Sequence, residues 1–342
     1  MTFRPIFWQD ESVHLLDQTR LPWEERWLRL RSWEEVAEAI RALRVRGAPA
    51  IGIAAAYALV LAAKYPKGGR TAHEEFLLAL EELRKTRPTA VNLFWALDRM
   101  HQVFEENASR LDLPEILLRE ALRIHEEDIA ANMRIGEFGA GLLQRGSRVL
   151  TICNTGALAT GGHGTALGVI RTAFSQGKIE MVYACETRPV LQGARLTAWE
   201  LQKDGIPCRL IADFAAGLLF SRKMVDAVLV GADRVARNGD FANKLGTYIL
   251  AVLAQRHKVP FYVVAPSTSF DLSLAHGDLI LIEERPEEEV LAPYGCRFAP
   301  EGTRAWNPAF DITPGGLVSA FITEKGVIRP PYEHTIPKAL SG

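Results

Sequence analysis

The chain has 342 residues, of which 48% are hydrophobic and 24% charged, a balance typical of globular proteins. Forty Lys and Arg against 41 Asp and Glu give a formal net charge of −1, so the basic excess of nucleic-acid binding proteins is absent. The longest apolar run, residues 50–63, is shorter than the roughly 20 residues that cross a bilayer. The four cysteines form no CxxC pair. With no secretory signal, they are expected to be reduced thiols in a cytoplasmic protein.

Residues 1–146 predict a small strand element followed by a mostly helical domain. Residues 5–31 carry the aromatic and β-branched residues of short strands. Helices are predicted from two capping-box spacings and from two longer amphipathic segments: Ser32 with Glu35, Thr71 with Glu74, residues 90–107 and residues 114–145.

Residues 147–342 predict a second domain in which strands and helices alternate. Five short, continuous apolar runs have the character of strands buried on both faces: RVLTIC, MVYAC, CRLIA, AVLVGA and FYVVA. The stretches between them are helical in pattern, and one, NKLGTYILAVLAQRH, predicts a helix that starts at Asn243-Lys244. This alternation predicts an α/β protein whose C-terminal domain contains a doubly wound, Rossmann-like parallel sheet.

The carboxyl ends of these strands are where open α/β sheets bind ligands. Cys153 and Cys185 each end a strand, and Asp233 follows another. A helix N-terminus beside Cys153 would lower the pKa of its thiol, although a buried packing cysteine is the commoner case, and the pattern alone does not choose between the two cysteines. An apolar setting would raise the pKa of Asp233 and let it act as an acid, although a strand-end Asp more often caps a turn.

A glycine-rich stretch, CNTGALATGGHGTALG, forms the first strand-to-helix turn of this domain. Leu167 occupies the third glycine position of a dinucleotide fingerprint, so no nicotinamide cofactor is expected. The loop amides could instead bind a phosphate; the simpler alternative is a tight turn. No cluster of His, Cys and carboxylate residues has ligand spacing, so no metal is expected. Three basic features at or just before the starts of predicted helices could hold phosphate: Arg46-Gly47-Ala48, Arg87 and Asn243-Lys244.

Five longer strings resemble the methylthioribose-1-phosphate isomerase family of methionine salvage: RVRGAPAIG, CNTGALATGGHGTALGVI, ETRPVLQGARLTAWEL, GADRVARNGDFANKLGTY and NPAFDITPGGLVSAFITEKG. The resemblance covers nearly the whole chain. It implies a cofactor-independent aldose–ketose isomerase of a sugar phosphate that forms a homodimer. The wider superfamily includes ribose-1,5-bisphosphate isomerases and non-catalytic regulatory subunits of the translation-initiation exchange factor. Both are alternatives, although a pure binding module would need neither Cys153 nor Asp233.

The resemblance also assigns roles to individual residues. Cys153 would be the catalytic cysteine, which decides between the two thiols, and Asp233 the catalytic acid. Asp233 would open the sugar ring, and Cys153 would assist transfer of hydrogen from C2 to C1, either as a proton or beside a hydride shift. Substrate binding would fall to seven further residues: Arg46, Gly47, Ala48, Arg87, Gln192, Asn243 and Lys244.

Overall fold

The computed structural model describes residues 3–87 and 91–341, which form two compact units. One unit comprises the chain up to Asn132 together with Gly156–Gly164. The other comprises Met133–Thr155 and the chain from Thr165 onward. The units are defined by packing, and the domain boundary predicted after residue 146 stays a prediction. Within the described residues, no helix is both long and apolar enough to span a membrane.

The first unit contains a small antiparallel sheet and a set of helices. The sheet has three strands in sequence order, β1 (Ile6–Gln9), β2 (Ser12–Leu16) and β3 (Trp27–Leu30). The helices are α1 (Trp33–Arg41), α2 (Ala48–Lys64), α3 (Ala72–Arg84), α4 (Val91–Glu106) and α5 (Leu113–Ala140), the last of which continues beyond Asn132. The predicted helix start at residue 90 lies outside the described residues.

Local signals explain where these helices begin. Both predicted capping boxes are present: the Ser32 hydroxyl accepts from the Glu35 amide, and Thr71 does the same for Glu74. Helix α2 is apolar on every face, and all of its residues from Ala50 to Ala63 are buried. A helix of this kind forms the core of its unit instead of lying on the surface.

The second unit is built on a seven-stranded sheet. Its strands are β4 (Ser147–Thr151), β5 (Ile179–Cys185), β6 (Cys208–Ile211), β7 (Ala227–Val230), β10 (Phe261–Val264), β13 (Ala320–Thr323) and β14 (Gly326–Ile328). They lie in the order β14-β13-β10-β7-β4-β5-β6, and every neighbouring pair is parallel except β13 with β14. This arrangement confirms the predicted α/β class with a mostly parallel sheet.

Helices and a smaller sheet complete the second unit. The helices are α6 (Ala166–Ser175), α7 (Ala198–Lys203), α8 (Ala216–Ser221), α9 (Thr247–His257), α10 (Glu288–Leu291) and α11 (Tyr332–Leu340). The smaller sheet contains β8 (Arg234–Ala236), β9 (Phe241–Lys244), β11 (Phe270–Asp271) and β12 (Phe310–Thr313), in the order β11-β8-β9-β12.

The prediction that Asn243-Lys244 opens a helix is wrong. Both residues lie in β9, which pairs antiparallel with β12, and α9 begins only at Thr247. Gly246 lies between the two elements with a φ of 103°, a left-handed conformation that interrupts a helix. The strand forms because its partner β12 arrives from a distant part of the chain.

Candidate active site

Three strands at the centre of the large sheet end beside one another. Cys153 follows β4, Asp233 follows β7, and Thr187 follows β5; β4 lies between the other two strands and is parallel to both. Carboxyl ends of parallel strands meet at one edge of a sheet. The structure therefore brings the two predicted catalytic residues to the same edge of the second unit.

Cys153 is held through its backbone by two threonines. Its φ is 64°, an uncommon conformation for a residue with a side chain, and its exposed fraction is 8%. The Cys153 amide donates to Thr187 Oγ1 at 2.9 Å, and the Cys153 carbonyl accepts from Thr197 Oγ1 at 2.6 Å. These hydrogen bonds on both sides of the residue support its uncommon backbone conformation.

The residue after Cys153 is anchored by a buried charge network. Asn154 Nδ2 donates to Glu200 Oε1 at 2.7 Å, and the other oxygen of Glu200 accepts from Arg171 at 2.7 Å. Arg171 also binds Asp204. Because each partner is hydrogen-bonded, the network can hold the turn after β4 rigid without leaving an unpaired buried charge.

Cys185, the other strand-end cysteine, has a different environment. It is fully buried, and burial, aided by the nearby Asp213 and Glu186, raises the pKa of its thiol far above the ordinary value. A thiol with these properties is protonated and inert. This favours a packing role for Cys185, in agreement with the choice of Cys153 that the resemblance implies.

The Gly193 backbone lies directly against the carbonyl of Cys185. A Cβ added at Gly193 would lie 1.7 Å from that oxygen, at the start of the π-helical turn Gly193–Thr197. We expect Gly193→Ala to lower the free energy of unfolding by about 3 kcal/mol, because backbone on both sides must shift. Gly217→Ala is the matched control: a Cβ there meets nothing within 4 Å, so stability should stay equal or rise by about 0.5 kcal/mol. Urea denaturation measures both, and equal values for the two variants would contradict the prediction.

Asp233 is tied to the small sheet. Its amide donates to the Ala242 carbonyl at 2.9 Å, which places it beside Asn243 in β9. Gly231, which directly follows β7, lies close to the turn after β4 and to β9. A Cβ at Gly231 would lie 2.8 Å from Thr155 Cγ2 and 3.9 Å from Asn243 Oδ1. The turns after β4 and β7 are therefore in contact, with Asn243 next to them.

Lys244 is held by the strand opposite. Its Nζ donates to the Ala309 carbonyl at 3.0 Å and lies 4.7 Å from the centre of the Phe310 ring. Asn243 Nδ2 donates to Thr247 Oγ1 at 2.9 Å, which links the strand to the start of α9. Both predicted substrate-binding residues thus have defined orientations in the second unit.

Asp311, which is not among the site residues predicted from the sequence, caps the N-terminus of α9. It pairs with Asn243 across the sheet, and its carboxylate accepts from the amides of Gly246 at 2.7 Å and Tyr248 at 3.2 Å. A carboxylate at a helix N-terminus stabilises the unpaired amides. No local pattern marks Asp311, because the helix that it caps begins far away in the sequence.

The stability of the protein should depend on the ionisation of Asp311. Burial raises the pKa of Asp311 to about 6, against the lowering effect of its two backbone donors. The unfolded chain loses this proton near pH 4, so the contribution of Asp311 to stability is greatest below pH 4 and falls as pH rises to about 6, by up to about 3 kcal/mol. In urea denaturation at several pH values, Asp311→Asn should gain stability relative to wild type over this interval. The exposed Asp278→Asn should not, and parallel profiles for wild type and Asp311→Asn would contradict the prediction.

Gln192 immediately precedes the π-helical turn. It is 7% exposed, and its Oε1 atom has no hydrogen-bond partner among residues 3–87 and 91–341. A π-helical turn is rare and often occurs at functional sites. An unpaired buried amide oxygen beside this turn supports the predicted contact between Gln192 and substrate.

The remaining predicted residues lie in the first unit. Gly47, with a φ of 92°, is the N-cap of α2, so Arg46, Gly47 and Ala48 form its start, as predicted. A Cβ at Gly47 would lie 2.4 Å from the Ala159 carbonyl oxygen, so only glycine permits this approach. Arg87 is half-buried after α3.

Two residues of α5 hydrogen-bond the glycine-rich segment Gly156–Gly164. The Gly161 carbonyl lies 2.8 Å from His125 Nε2, and the Gly161 amide donates to Asp128 at 2.7 Å. A carbonyl only accepts, so Nε2 carries the proton, and Nδ1 accepts from the Tyr57 hydroxyl at 2.9 Å. Burial lowers the pKa of His125, which keeps this neutral form. Within residues 3–87 and 91–341, no three His, Cys, Asp or Glu side chains group as metal ligands.

The fold and these strand-end residues define an α/β protein with polar groups at the sheet edge where such proteins bind small molecules. Residues 44–330 match the model of the initiation factor 2 subunit family, and the chain belongs to that family. It is 56% identical over 334 residues to the methylthioribose-1-phosphate isomerase of Thermotoga maritima, covering 97% of each chain. The corresponding enzyme of Pelotomaculum thermopropionicum is 53% identical over 340 residues, covering 97% of this chain and 93% of the relative.

Solved structures extend these similarities. The 5-methylthioribose 1-phosphate isomerase of Pyrococcus horikoshii OT3 superimposes with a TM-score of 0.93 at 46% identity, covering 99% of this chain and 96% of that one. A protein from A. fulgidus described as translation initiation factor eIF-2B, subunit delta, gives a TM-score of 0.88 at 46% identity, covering 99% and 100%. The family recognised from the sequence is confirmed, whereas the roles of individual residues stay predictions.

Proposed function

We propose that this chain converts 5-methylthioribose 1-phosphate into 5-methylthioribulose 1-phosphate, with Cys153 and Asp233 as the catalytic pair. The observation that carries the proposal is the identity of 56% over nearly the whole length to a protein of that name. The adjacent ends of β4 and β7 support it, since Cys153 and Asp233 follow these two neighbouring parallel strands at one edge of the sheet. The contacts assigned to Arg46, Gly47, Ala48, Arg87, Gln192, Asn243 and Lys244 belong to the same proposal.

The reaction begins with ring opening. The phosphate on the anomeric oxygen prevents spontaneous opening to an aldehyde, so the carboxyl group of Asp233 donates its proton to the ring oxygen as the bond from C1 to that oxygen breaks.

Hydrogen must then move from C2 to C1, and there are two versions of this step. In the first version, the Cys153 thiolate removes the C2 proton and a C1=C2 enol forms. The C2 hydroxyl then returns a proton to Asp233, and the thiol delivers its proton to C1. These steps leave both residues as they started.

In the second version, hydrogen moves from C2 to C1 with its electron pair. The C2 hydroxyl then gives its proton to the Asp233 carboxylate, and Cys153 stabilises the transition state without exchanging hydrogen.

Turnover in deuterated water tests the first version, because a thiol exchanges its proton with solvent. Substantial deuterium at product C1 supports proton transfer, and complete retention of the original hydrogen supports the hydride shift or a sealed relay.

The activity is tested with purified protein and no added metal or nucleotide. Ketose formation from 5-methylthioribose 1-phosphate, with little from ribose 1,5-bisphosphate, is the expected result. Turnover of the bisphosphate alone would show that the protein is a ribose-1,5-bisphosphate isomerase. Folded protein that turns over neither substrate would contradict the isomerase proposal.

A second candidate function is that of a non-catalytic regulatory subunit. The similarity to the A. fulgidus protein described as an initiation factor subunit favours it. The presence of both Cys153 and Asp233 counts against it, since a protein that works only through surface contacts needs neither. The turnover assay separates the two functions.

We also propose that the chain forms a homodimer, as the resemblance implies. Three apolar side chains on one face of α9 are exposed, Tyr248, Ile249 and Val252, with exposed fractions of 45%, 52% and 39%. Exposed apolar side chains grouped on one helix are typical of an interface. Light scattering should give twice the chain mass of 37.9 kDa. The monomer mass at micromolar concentration would contradict this proposal.

A further inference from the structure

The hydroxyl group of Thr155 is buried in the second unit. Thr155 is 8% exposed, and its Oγ1 atom has no hydrogen-bond partner among residues 3–87 and 91–341. The backbone carbonyl of the same residue does have a partner, because it accepts from the Thr165 amide at 2.9 Å just before α6. Burying an unpaired hydroxyl costs about 1–3 kcal/mol, so its retention calls for an explanation.

Thr155 lies in the same turn as Cys153 and faces the turn that carries Asp233. It follows Cys153 by two positions, and its Cγ2 atom faces Gly231, which precedes Asp233 by two positions. Gly231 has no side chain, and a Cβ there would lie only 2.8 Å from Thr155 Cγ2. The Thr155 side chain therefore lies where the turn after β4 contacts the turn after β7.

Unpaired threonine hydroxyls elsewhere give a standard of comparison. Thr151 and Thr313 also have Oγ1 atoms without a partner among the described residues, and both side chains are completely buried. Thr151 is the last residue of β4, and its side chain is closed off from solvent. Thr155 differs because it is slightly exposed, lies beyond the end of the strand, and shares its unit with the unpaired Oε1 of Gln192.

We propose that Thr155 is a further substrate-binding residue whose hydroxyl hydrogen-bonds an oxygen of the sugar during isomerisation. This inference rests on the proposed function. A hydroxyl can both donate and accept, so it can follow a substrate oxygen that changes between alcohol and carbonyl. Bound substrate then supplies the partner that the hydroxyl lacks in the free protein.

The test compares Thr155→Val with Thr151→Val, two substitutions that each replace an unpaired buried hydroxyl by a methyl group. Thr155→Val should lower kcat/KM for 5-methylthioribose 1-phosphate by about tenfold to a hundredfold, because a substrate oxygen loses its hydrogen bond in a buried site. Its urea midpoint should equal or exceed that of wild type, since an unsatisfied group has been removed. Thr151→Val should likewise have a urea midpoint equal to or above that of wild type, but its kcat/KM should equal that of wild type.

Thr155→Ser separates the hydroxyl from the methyl group. It keeps Oγ1 and loses the contact with Gly231, so its kcat/KM should stay within about threefold of wild type. Equal kcat/KM for Thr155→Val and wild type would overturn the inference, as would equal losses in Thr155→Val and Thr155→Ser or in Thr151→Val. Wild-type protein without turnover would instead contradict the proposed function and, with it, this role of Thr155.

Discussion

Replacing Cys153 by alanine is expected to lower kcat on 5-methylthioribose 1-phosphate by about 10²–10⁴-fold, the usual contribution of a group that moves a proton in the rate-limiting step. Stability should change by less than about 1 kcal/mol, because the hydrogen bonds to Thr187 and Thr197 involve the backbone of this residue and stay in the variant. Initial rates and urea denaturation measure the two effects. Under the hydride version the loss should fall at the lower end of this range.

The control for Cys153 is Cys185→Ala, which removes the other strand-end thiol. Cys185 is fully buried, so the variant leaves a small cavity and should lose about 1–2 kcal/mol of stability while kcat stays within about threefold. Iodoacetamide should react with Cys153 faster than with Cys185 in the folded protein, and substrate should slow the reaction. Full activity in Cys153→Ala, or a greater loss in Cys185→Ala, would reverse the assignment.

The large sheet could be predicted because its strands are apolar on both faces. In β7, Val228 and Val230 pack into one hydrophobic cluster, whereas Ala227 and Leu229 pack into another on the opposite face. Every residue of such a strand is hydrophobic, so the continuous run is visible in the sequence. The edge where ligands bind then follows from the direction of the parallel strands.

The details of the site depend on contacts that no local pattern contains. Lys244 lies in a strand and not in a helix because β12 pairs with it from 66 positions away, Phe310 being its partner. Gln18 Nε2 donates to the Leu158 carbonyl at 2.7 Å across 140 positions, which places the glycine-rich segment in the first unit. Tertiary pairings of this length override the local helical pattern on which sequence reasoning relies.

Replacing Asp233 by asparagine is expected to lower kcat by about 10²–10⁴-fold, since the amide cannot give a proton to the ring oxygen. Asparagine has the size and shape of aspartate, and the hydrogen bond from the Asp233 amide to Ala242 stays in the variant, so stability should stay within about 1 kcal/mol of wild type. Substrate should still bind, because the other predicted contacts are intact. Single-turnover rates and equilibrium binding of the ketose product separate the two effects.

Asp240→Asn is the matched control, because the two aspartates lie seven positions apart and have different surroundings. Burial alone would raise the pKa of Asp240, but hydrogen bonds from Asn238 and from the amides of Gly315 and Gly277 outweigh it and lower the pKa. The charged form therefore stabilises the fold above pH 4, and this contribution is lost as pH falls through the lowered pKa. Asp240→Asn should lose about 1–3 kcal/mol of stability at pH 7, with kcat of the folded protein within about threefold of wild type. If both variants lost stability and activity together, Asp233 would be structural, and the acid that opens the ring would have to be another group.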